Sequence, residues 1–429
     1  MRGFSACDEH AQTTYVAVSS AYSLAGNDGQ LIELLPSVYN RRTAVYNVSI
    51  ACGGGKIMTK SGDKHVTFAL PVIPCFSFFR LCMARVIQVG LVGFGLSGRY
   101  FHSPFLSVNP RFHLKKIASS RPEAVRQFDP SIDWVATADE LFADESIDLV
   151  FICSPNETHV DYARKALEHG KNVVVEKPFA LSEREAVELL ELAQRKGLLA
   201  TAYQNRRWDS DFLTIKRLLA ESALGTLIDY ECRYDRYSPV PPDSQSWKEQ
   251  PGAGRGNLYN LGPHLLDQAL QLFGKPDTVQ ATVRIIRPNS HVPDYFDIKL
   301  GYADKIVRLE SSLMTYHNQL RYSLHGSEGS FIKGGLDAQE ERLRVNQLPD
   351  QANWGAEPED RWGTLYRNGQ ANVIESDPGN YTPFYDNLYE AIVNGAEPAV
   401  TPADIQQLAR VIDLAQESSQ TQRTLAFSS

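Results

Sequence analysis

The stretch VIQVGLVGFGLSG, residues 86–98, constrains the fold of this chain more than any other part of the sequence. It joins a short β-branched, apolar run, as expected of a buried parallel strand, to Gly93, Gly95 and Gly98 in a GxGxxG pattern. The first glycine permits a tight turn, the second lets the backbone approach a pyrophosphate, and the third lets the next helix pack close to the strand. Phosphates would bind the free N–H groups of that helix. The stretch therefore predicts the first strand–helix unit of a dinucleotide-binding fold.

The same alternation of strands and helices continues through residues 84–203, which predicts a Rossmann domain over this range. The segment LSEREAVELLELAQRKG is a predicted helix that opens with Ser182 and Glu185 in a capping-box pattern, and Asn156 is the predicted N-cap of the helix before it. Ligands of such sheets lie at the carboxyl ends of the strands. The strand ends and the glycine turn supply these expected dinucleotide contacts: Gly93, Gly95, Leu96, Ser97, Gly98, Asn156, Glu176 and Lys177.

The end of the second predicted strand, FHLKKIA, indicates which dinucleotide binds. An NAD-binding protein usually places Asp or Glu here, on the ribose hydroxyls. This chain instead has Ser119, Ser120 and Arg121. Two hydroxyls and a guanidinium suit a phosphate, which a carboxylate would repel. The sequence therefore favours NADP over NAD; the alternative is a polar loop in which Arg121 is only solvated.

After residue 204 the pattern changes to strands that follow one another with few helices between them. This predicts an α+β domain over residues 204–427, with the segment 402–419 as a helix that could pack back on the first domain. One helix interrupts the strands, NLGPHLLDQALQLFG, with Asn260 as its expected N-cap. His264 and Asp267 are spaced to share one side of it.

Two of these residues have the chemistry that alcohol oxidation needs. Such a reaction with a nicotinamide requires a hydride acceptor and a base for the hydroxyl proton, and a histidine suits that base at neutral pH. A nearby lysine cation would disfavour the imidazolium and keep the ring ready to accept. Lys177 from the first domain and His264 from the second could therefore meet across the cleft between the domains.

Composition and charge exclude several classes of protein. The net charge of −8 and the isoelectric point near 5.7 argue against a nucleic-acid partner. No run of eighteen apolar residues occurs, so no membrane span is expected. Only Cys153 and Cys232 lie beyond residue 82, without a CxxC pair, which predicts reduced thiols, a cytoplasmic location and no metal site.

Residues 1–82 differ from the rest of the chain in their pattern of apolar and polar residues, which shows no sustained helical or strand period. We predict a poorly structured leader, with Met83 as the native start and the preceding residues as an upstream extension of the reading frame. The apolar segment 66–82 leaves a targeting peptide as the alternative, although two prolines interrupt it and no clear cleavage site follows.

GxGxxG, then EKP, then NLGPHLLD, in that order, resembles the Gfo/Idh/MocA oxidoreductases. The segments GLSGRYFHSPFL, SSR and NRRWDSDFLTIKRL are most similar to their NADP-dependent scyllo-inositol dehydrogenase subgroup, and the resemblance spans residues 84–427. It implies a Rossmann domain followed by a domain with a large, mostly antiparallel sheet that pairs in homodimers or homotetramers. It also implies that Lys177 and His264 are catalytic, and that SPNETH, with Pro155, Asn156 and His159, lines the cofactor site.

The chain departs from the family at Asn260, where most members have Asp. Asparagine can hydrogen-bond a substrate hydroxyl but cannot carry charge or relay a proton. This leaves, in order of preference, an enzyme with an altered pH profile, one with a shifted substrate, or an inactive member. Further candidates for substrate contact are Arg206, Trp247 and Asp267, although Arg206 and Arg207 could instead pair with nearby aspartates on a solvated face.

The sequence thus predicts an NADP-dependent dehydrogenase in which Lys177, Asn260 and His264 act on a ring secondary alcohol of a cyclitol or sugar. Two other classes stay open. A non-catalytic sensor would bind NADP or a sugar without turnover, and a redox-neutral NAD-dependent glycosidase would leave no net change in the cofactor.

Overall fold

The computed structural model describes residues 23–25, 31–33, 85–241, 249–317 and 320–428. The chain separates into two units, Met1–Pro74 and Cys75–Ser429. In the first unit the described residues form one antiparallel pair, β1 (Ser23–Ala25) with β2 (Leu31–Glu33). The prediction of a poorly structured leader otherwise lies outside the described residues, and both large sheets lie in the second unit.

A six-stranded parallel sheet occupies the first half of this unit, in the order β5-β4-β3-β6-β7-β8. Its strands are β3 (Ile87–Val92), β4 (Phe112–Ala118), β5 (Asp133–Val135), β6 (Leu149–Ile152), β7 (Asn172–Val175) and β8 (Ala200–Ala202). The strand order reverses between β3 and β6, which is where doubly wound sheets bind their ligands. The predicted Rossmann fold is confirmed.

Helices connect these strands. They are a π-helical segment (Ser97–His102), α1 (Ser103–Val108), α2 (Pro122–Phe128), α3 (Ala138–Phe142), a 3₁₀ turn (Asn156–Thr158), α4 (His159–Glu168) and α5 (Glu183–Lys196). Ser182 caps α5 as predicted, since its side chain accepts from the Glu185 N–H. The prediction that Asn156 caps a helix was wrong, because Asn156 begins the 3₁₀ turn and its amide donates to the Gly254 carbonyl at 2.9 Å.

The second sheet has nine strands in the order β16-β15-β14-β13-β9-β12-β11-β10-β17. They are β9 (Leu227–Arg233), β10 (Thr278–Arg284), β11 (Tyr295–Gly301), β12 (Ile306–Ser312), β13 (Tyr322–Gly326), β14 (Gly329–Lys333), β15 (Gly363–Arg367), β16 (Gln370–Ile374) and β17 (Leu425–Ala426). Strands β9 and β12 are parallel, and all other neighbours are antiparallel. The predicted mostly antiparallel sheet is confirmed.

The helices of this half lie between and after its strands. They are a 3₁₀ turn (Asn205–Trp208), α6 (Ser210–Ala220), α7 (Asn257–Asn260), α8 (Gly262–Phe273), α9 (Gln339–Arg344), a 3₁₀ turn (Glu359–Arg361), α10 (Thr382–Asn394) and α11 (Pro402–Thr421). No helix in the described part of the chain is both long and apolar enough to cross a bilayer.

The prediction that Asn260 caps α8 was wrong. Asn260 ends α7, Leu261 stands at the N-cap position of α8, and no side chain caps that helix. Backbone hydrogen bonds take the place of a side-chain cap at the start of α8. The Leu261 N–H donates to the Asn257 carbonyl, and the His264 N–H donates to the Leu261 carbonyl. Pro263 occupies the first turn of α8 as predicted, where its missing N–H costs nothing.

Helix α11 belongs to both hydrophobic cores of this unit. Ile405 and Ala409 pack in the core around the parallel sheet, whereas Leu408, Val411 and Ile412 pack in the core around the nine-stranded sheet. The helix therefore contributes apolar side chains to both halves of the unit.

Candidate active site

The three glycines after β3 have distinct surroundings, which test whether the turn fits a dinucleotide. Gly93 has φ of +94°, and an added Cβ there would lie 2.6 Å from the Cys153 carbonyl oxygen. A Cβ at Gly98 would lie 2.4 Å from the Gly93 carbonyl oxygen. A Cβ at Gly95 would meet nothing within 4 Å. Packing within the protein accounts for Gly93 and Gly98, and the open space at Gly95 fits the close approach of a pyrophosphate.

The carboxyl end of β4 carries the residues predicted to select the dinucleotide. Ser119 is buried, its Oγ accepts from the Arg121 N–H at 3.0 Å, and its carbonyl accepts from the Trp134 Nε1–H at 2.8 Å. Ser120 and Arg121 are exposed. No carboxylate among the described residues lies within ion-pair distance of Arg121. This edge of the sheet therefore offers a hydroxyl and an uncompensated guanidinium, a donor set that fits a phosphate.

The loop after β6 contains the three residues of SPNETH that the resemblance implies. Pro155 precedes the 3₁₀ turn that Asn156 begins. His159 is fully buried, with its ring nitrogens 2.8 Å from the Pro178 carbonyl oxygen and 2.9 Å from the Ser154 carbonyl oxygen. Burial lowers the pKa of His159, against the opposing effect of the two carbonyls. His159 thus joins the loop after β6 to the loop after β7.

Glu176 and Lys177 follow β7 and link the glycine turn to the second half of the unit. The Glu176 carboxylate accepts from the Ser97 hydroxyl, and from the Lys177 backbone N–H at 3.1 Å. The peptide bond between Lys177 and Pro178 is cis. The Lys177 ammonium donates to the Asn260 backbone carbonyl at 2.6 Å and lies 3.4 Å from the Asn260 Oδ1. The structure therefore brings Ser97, Lys177 and Asn260 into one connected arrangement.

His264 lies one helical turn after Asn260 and is buried. Its Nδ1 has no hydrogen-bond partner within the described ranges. Burial lowers the pKa of His264 well below its usual 6.5, and the positive charges of Lys177, Arg206, Arg321 and Arg236 lower it further. The ring is therefore neutral at physiological pH, the form that can accept a proton.

Arg206 stands beside His264 in a buried cluster of charges rather than on a solvated face. Its guanidinium pairs with Asp209 at 3.0 Å and with Glu340 at 2.9 Å. Its Nε is buried without a hydrogen-bond partner among the described residues. The ring of Tyr234 is shared by three guanidiniums, those of Arg206, Arg321 and Arg236, at 5.2, 5.0 and 5.1 Å.

Asp267 is engaged within the protein. Both of its carboxylate oxygens accept from Arg207, at 2.8 Å from Nε and 2.6 Å from Nη2. Arg207 also donates to the Ala399 carbonyl and pairs with Asp404 at 3.2 Å. This bidentate pair joins α8 to the 3₁₀ turn before α6 and to the start of α11. The prediction for Trp247 lies outside the described residues.

Sequence reasoning missed several residues that border the site. His102 contacts Glu176 on one side and Tyr385 on the other. Arg321, just before β13, and Arg236, after β9, carry positive charges that act on His264. Each contact joins distant parts of the chain, so no local period or spacing could reveal it. The only signal was a histidine inside the apolar run of GRYFHSPFL.

Both halves of this unit are similar to known oxidoreductases. Residues 87–204 match the model of an oxidoreductase family with an NAD-binding Rossmann fold, and residues 216–427 match the family's C-terminal alpha/beta domain. The chain is 40% identical over 349 residues to the uncharacterized oxidoreductase YdgJ of Escherichia coli K12, covering 80% of this chain and 100% of YdgJ.

Two further comparisons concern Bacillus subtilis. The chain is 37% identical over 343 residues to scyllo-inositol 2-dehydrogenase (NADP(+)) IolW, covering 79% of this chain and 95% of IolW. It also matches the solved triclinic structure of yvaA with a TM-score of 0.77 at 37% identity, covering 80% of this chain and 99% of that one.

Proposed function

The chain belongs to the Gfo/Idh/MocA oxidoreductase family, and on that premise we propose that it is an NADP-dependent dehydrogenase that interconverts a ring secondary alcohol of a cyclitol or sugar with its ketone. The observation that carries this proposal is the contact between Lys177 and Asn260. It holds an ammonium from the dinucleotide domain beside α8, where His264 has a strongly lowered pKa. A cation and a neutral base at the carboxyl edge of a dinucleotide sheet suit the oxidation of an alcohol.

Each of the protein's reacting groups has one task. The dinucleotide, when bound, supplies the hydride acceptor. His264 accepts the hydroxyl proton of the substrate at Nε2, since Nδ1 is enclosed by the protein. The Lys177 ammonium donates a hydrogen bond to the same substrate oxygen and stabilises the negative charge that develops on it. In the reverse direction His264 returns the proton to the carbonyl oxygen.

Asn260 anchors this arrangement without adding charge. Its backbone carbonyl takes one hydrogen bond of the Lys177 ammonium, while its side-chain carbonyl lies 3.4 Å away. Because asparagine does not titrate, Lys177 keeps its full effect on the pKa of His264. This favours an active enzyme whose pH profile differs from that of members with Asp at this position.

Two observations support NADP and a cyclitol. Arg121 is exposed beside the two serines and carries no carboxylate partner among the described residues, which suits a ribose 2′-phosphate. The relative IolW is named as a scyllo-inositol dehydrogenase that uses NADP(+), and the chain covers 95% of it.

We also propose that the nine-stranded sheet pairs with a second copy of the chain to give a homodimer or homotetramer. Val307 and Leu309 of β12 point into the core, so Ile306, Arg308 and Glu310 face the other side of the sheet. Ile306 is half exposed there, among ion pairs such as that of Arg308 with Asp229. A half-exposed isoleucine beside paired charges is a surface that suits contact with a second copy.

The experiment is a panel of inositols and sugars assayed with NADP and with NAD by the absorbance of the reduced nicotinamide. We expect reduction of NADP by a cyclitol or a sugar, with slower reduction of NAD. Binding of NADP without reduction by any compound would indicate the sensor. Cleavage of a glycoside without net reduction would indicate the redox-neutral glycosidase.

A further inference from the structure

The Glu176 carboxylate lies at the centre of a buried hydrogen-bond network that includes Ser97 of the glycine turn. One oxygen, Oε1, accepts from the Ser97 hydroxyl and lies 3.1 Å from Nε2 of His102. The other oxygen, Oε2, accepts from the Lys177 backbone N–H at 3.1 Å. The glycine turn and the lysine of the proposed site are therefore attached to the same carboxylate.

The other side of His102 contacts a tyrosine of the second half. Its Nδ1 is 3.0 Å from the Tyr385 hydroxyl, which lies 2.7 Å from the Phe101 backbone carbonyl. The Tyr203 hydroxyl is 3.4 Å from the same carbonyl, so either tyrosine can supply the hydrogen bond of that carbonyl. Nε2 is the ring nitrogen that faces the Glu176 carboxylate, and a carboxylate only accepts, so the Nε2–H of His102 donates to Oε1.

The surroundings keep this pair in place. His102 is fully buried, with its ring centroid 4.6 Å from that of Phe151 and 4.3 Å from that of Tyr203. Hydrogen bonds are stronger in such an apolar enclosure, and a lost partner is correspondingly costly. His102 ends the π-helical segment Ser97–His102, which starts inside the glycine turn, and single π turns often occur at functional sites.

We propose that His102 is a positioning residue for hydride transfer: through its Nε2–H it fixes the Glu176 carboxylate, and Glu176 fixes Ser97 in the dinucleotide turn and the backbone of Lys177. This inference rests on the proposed function. It adds that Tyr385 of α10 takes part in the arrangement, because its hydroxyl orients the ring of His102. Without the His102 N–H, a buried carboxylate would lose a partner and move, and the turn and the lysine would move with it.

Two substitutions at His102 separate positioning from packing. His102→Phe keeps an aromatic ring in the enclosure but has no N–H, whereas His102→Gln loses the ring but can donate an amide N–H to Glu176. We expect the Phe variant to bind NADPH about tenfold more weakly and to lose at least as much in kcat, and the Gln variant to recover most of both. His113→Gln, on the exposed face of β4, is the matched control and should match the wild type.

The measurements are the dissociation constant of NADPH from fluorescence quenching, kcat and KM for the polyol, and a thermal melt of each variant. A Phe variant that equals the wild type, with a Gln variant that is worse, would mean that His102 only fills space, and would overturn the proposal. The NADPH dissociation constant can be measured without any enzymatic turnover. An unchanged dissociation constant in the Phe variant therefore contradicts the positioning role. If no compound in the panel of inositols and sugars is oxidised, that result contradicts only the dehydrogenase assignment.

A double-mutant cycle gives a second test if the Phe variant does not fold. Glu176→Gln keeps the shape of the side chain but removes the carboxylate that His102 holds, and its amide has one acceptor oxygen instead of two. We expect His102→Met, which also lacks an N–H, to weaken NADPH binding much less in the Glu176→Gln background than in the wild type. Additive effects of the two substitutions would refute action through Glu176.

Discussion

His264 shows how single charges adjust one residue for proton transfer. Burial lowers its pKa well below 6.5, and the cations of Lys177, Arg206, Arg321 and Arg236 reinforce this effect. Arg206 and Arg321 have carboxylate partners, at Asp209 and Asp211. Arg236 is exposed, pairs with no carboxylate in the described part of the chain, and adds a smaller contribution to the lowered pKa of His264.

Removal of this charge should therefore change the pH profile. Arg236→Gln takes away a cation that disfavours the imidazolium, so the pKa of His264 rises towards 6.5. The base form is then lost at a higher pH, and the acid limb of kcat/KM for polyol oxidation should shift upwards. Arg184→Gln, on the exposed face of α5, is the control and should leave the limb in place. A shift to lower pH in the Arg236 variant would contradict the electrostatic explanation.

Arg121 provides the corresponding test for the cofactor. Arg121→Ala should raise the KM for NADP by about tenfold or more, because a charge-assisted hydrogen bond to the 2′-phosphate is lost. The KM for NAD should change little, since NAD has no phosphate there. Steady-state kinetics of the variant and the wild type give the KM for each cofactor. An equal rise in the KM for NADP and in the KM for NAD would show that Arg121 supports the loop and does not select the phosphate.

At the scale of elements, the sequence was informative where a pattern is local. The apolar run and the glycines around Gly93 predicted β3 and its turn because both depend on neighbouring residues. The start of α8 was predicted incorrectly because α7 supplies the backbone carbonyls that replace a side-chain cap. The contacts of His102 with Glu176 and Tyr385 could not be predicted from the sequence, because 74 and 283 positions separate the paired residues.

The pair of Arg207 with Asp267 tests how such long-range contacts hold elements together. Asp267→Asn removes the carboxylate and leaves a buried guanidinium with one partner fewer, which should lower the free energy of unfolding by about 3 kcal/mol. Glu188→Gln, which removes an exposed partner of Arg184, should cost under about 1 kcal/mol. Denaturant unfolding followed by circular dichroism gives both values. A cost for Asp267→Asn as small as that of the control would mean that the pair does not secure α8.

At the scale of the whole molecule, helix α11 packs in both cores, and the nine-stranded sheet has one face outside them. The charged side chains on that face pair with one another, as Arg233 does with Glu310 at 2.7 Å. Ile306 lies at one end of β12 on the same face and is half exposed. Helices of this unit pack on one side of the sheet, and the proposed pairing with a second copy uses the other side.

Ile306→Asp should consequently weaken assembly. A carboxylate in an apolar contact between two copies has no partner there and carries a desolvation cost. We expect a shift from dimer or tetramer towards monomer in sedimentation velocity, with unchanged circular dichroism. Val345→Asp, at an exposed position just after α9, is the control and should leave the sedimentation coefficient as it is. If the wild type sediments as a monomer, the proposed pairing of sheets is wrong.

The most direct test of the account follows the hydride itself. A cyclitol or sugar from the substrate panel, deuterated at the reacting carbon, is incubated with the protein and NADP, and the reduced cofactor is analysed by mass spectrometry. We expect deuterium in the NADPH and no such product with His264→Gln, which lacks the base; a thermal melt and NADPH binding by fluorescence quenching check that this variant folds and holds the cofactor. Unreduced NADP with every compound, or reduced cofactor without the label, would contradict hydride transfer at the site that Lys177 and His264 form.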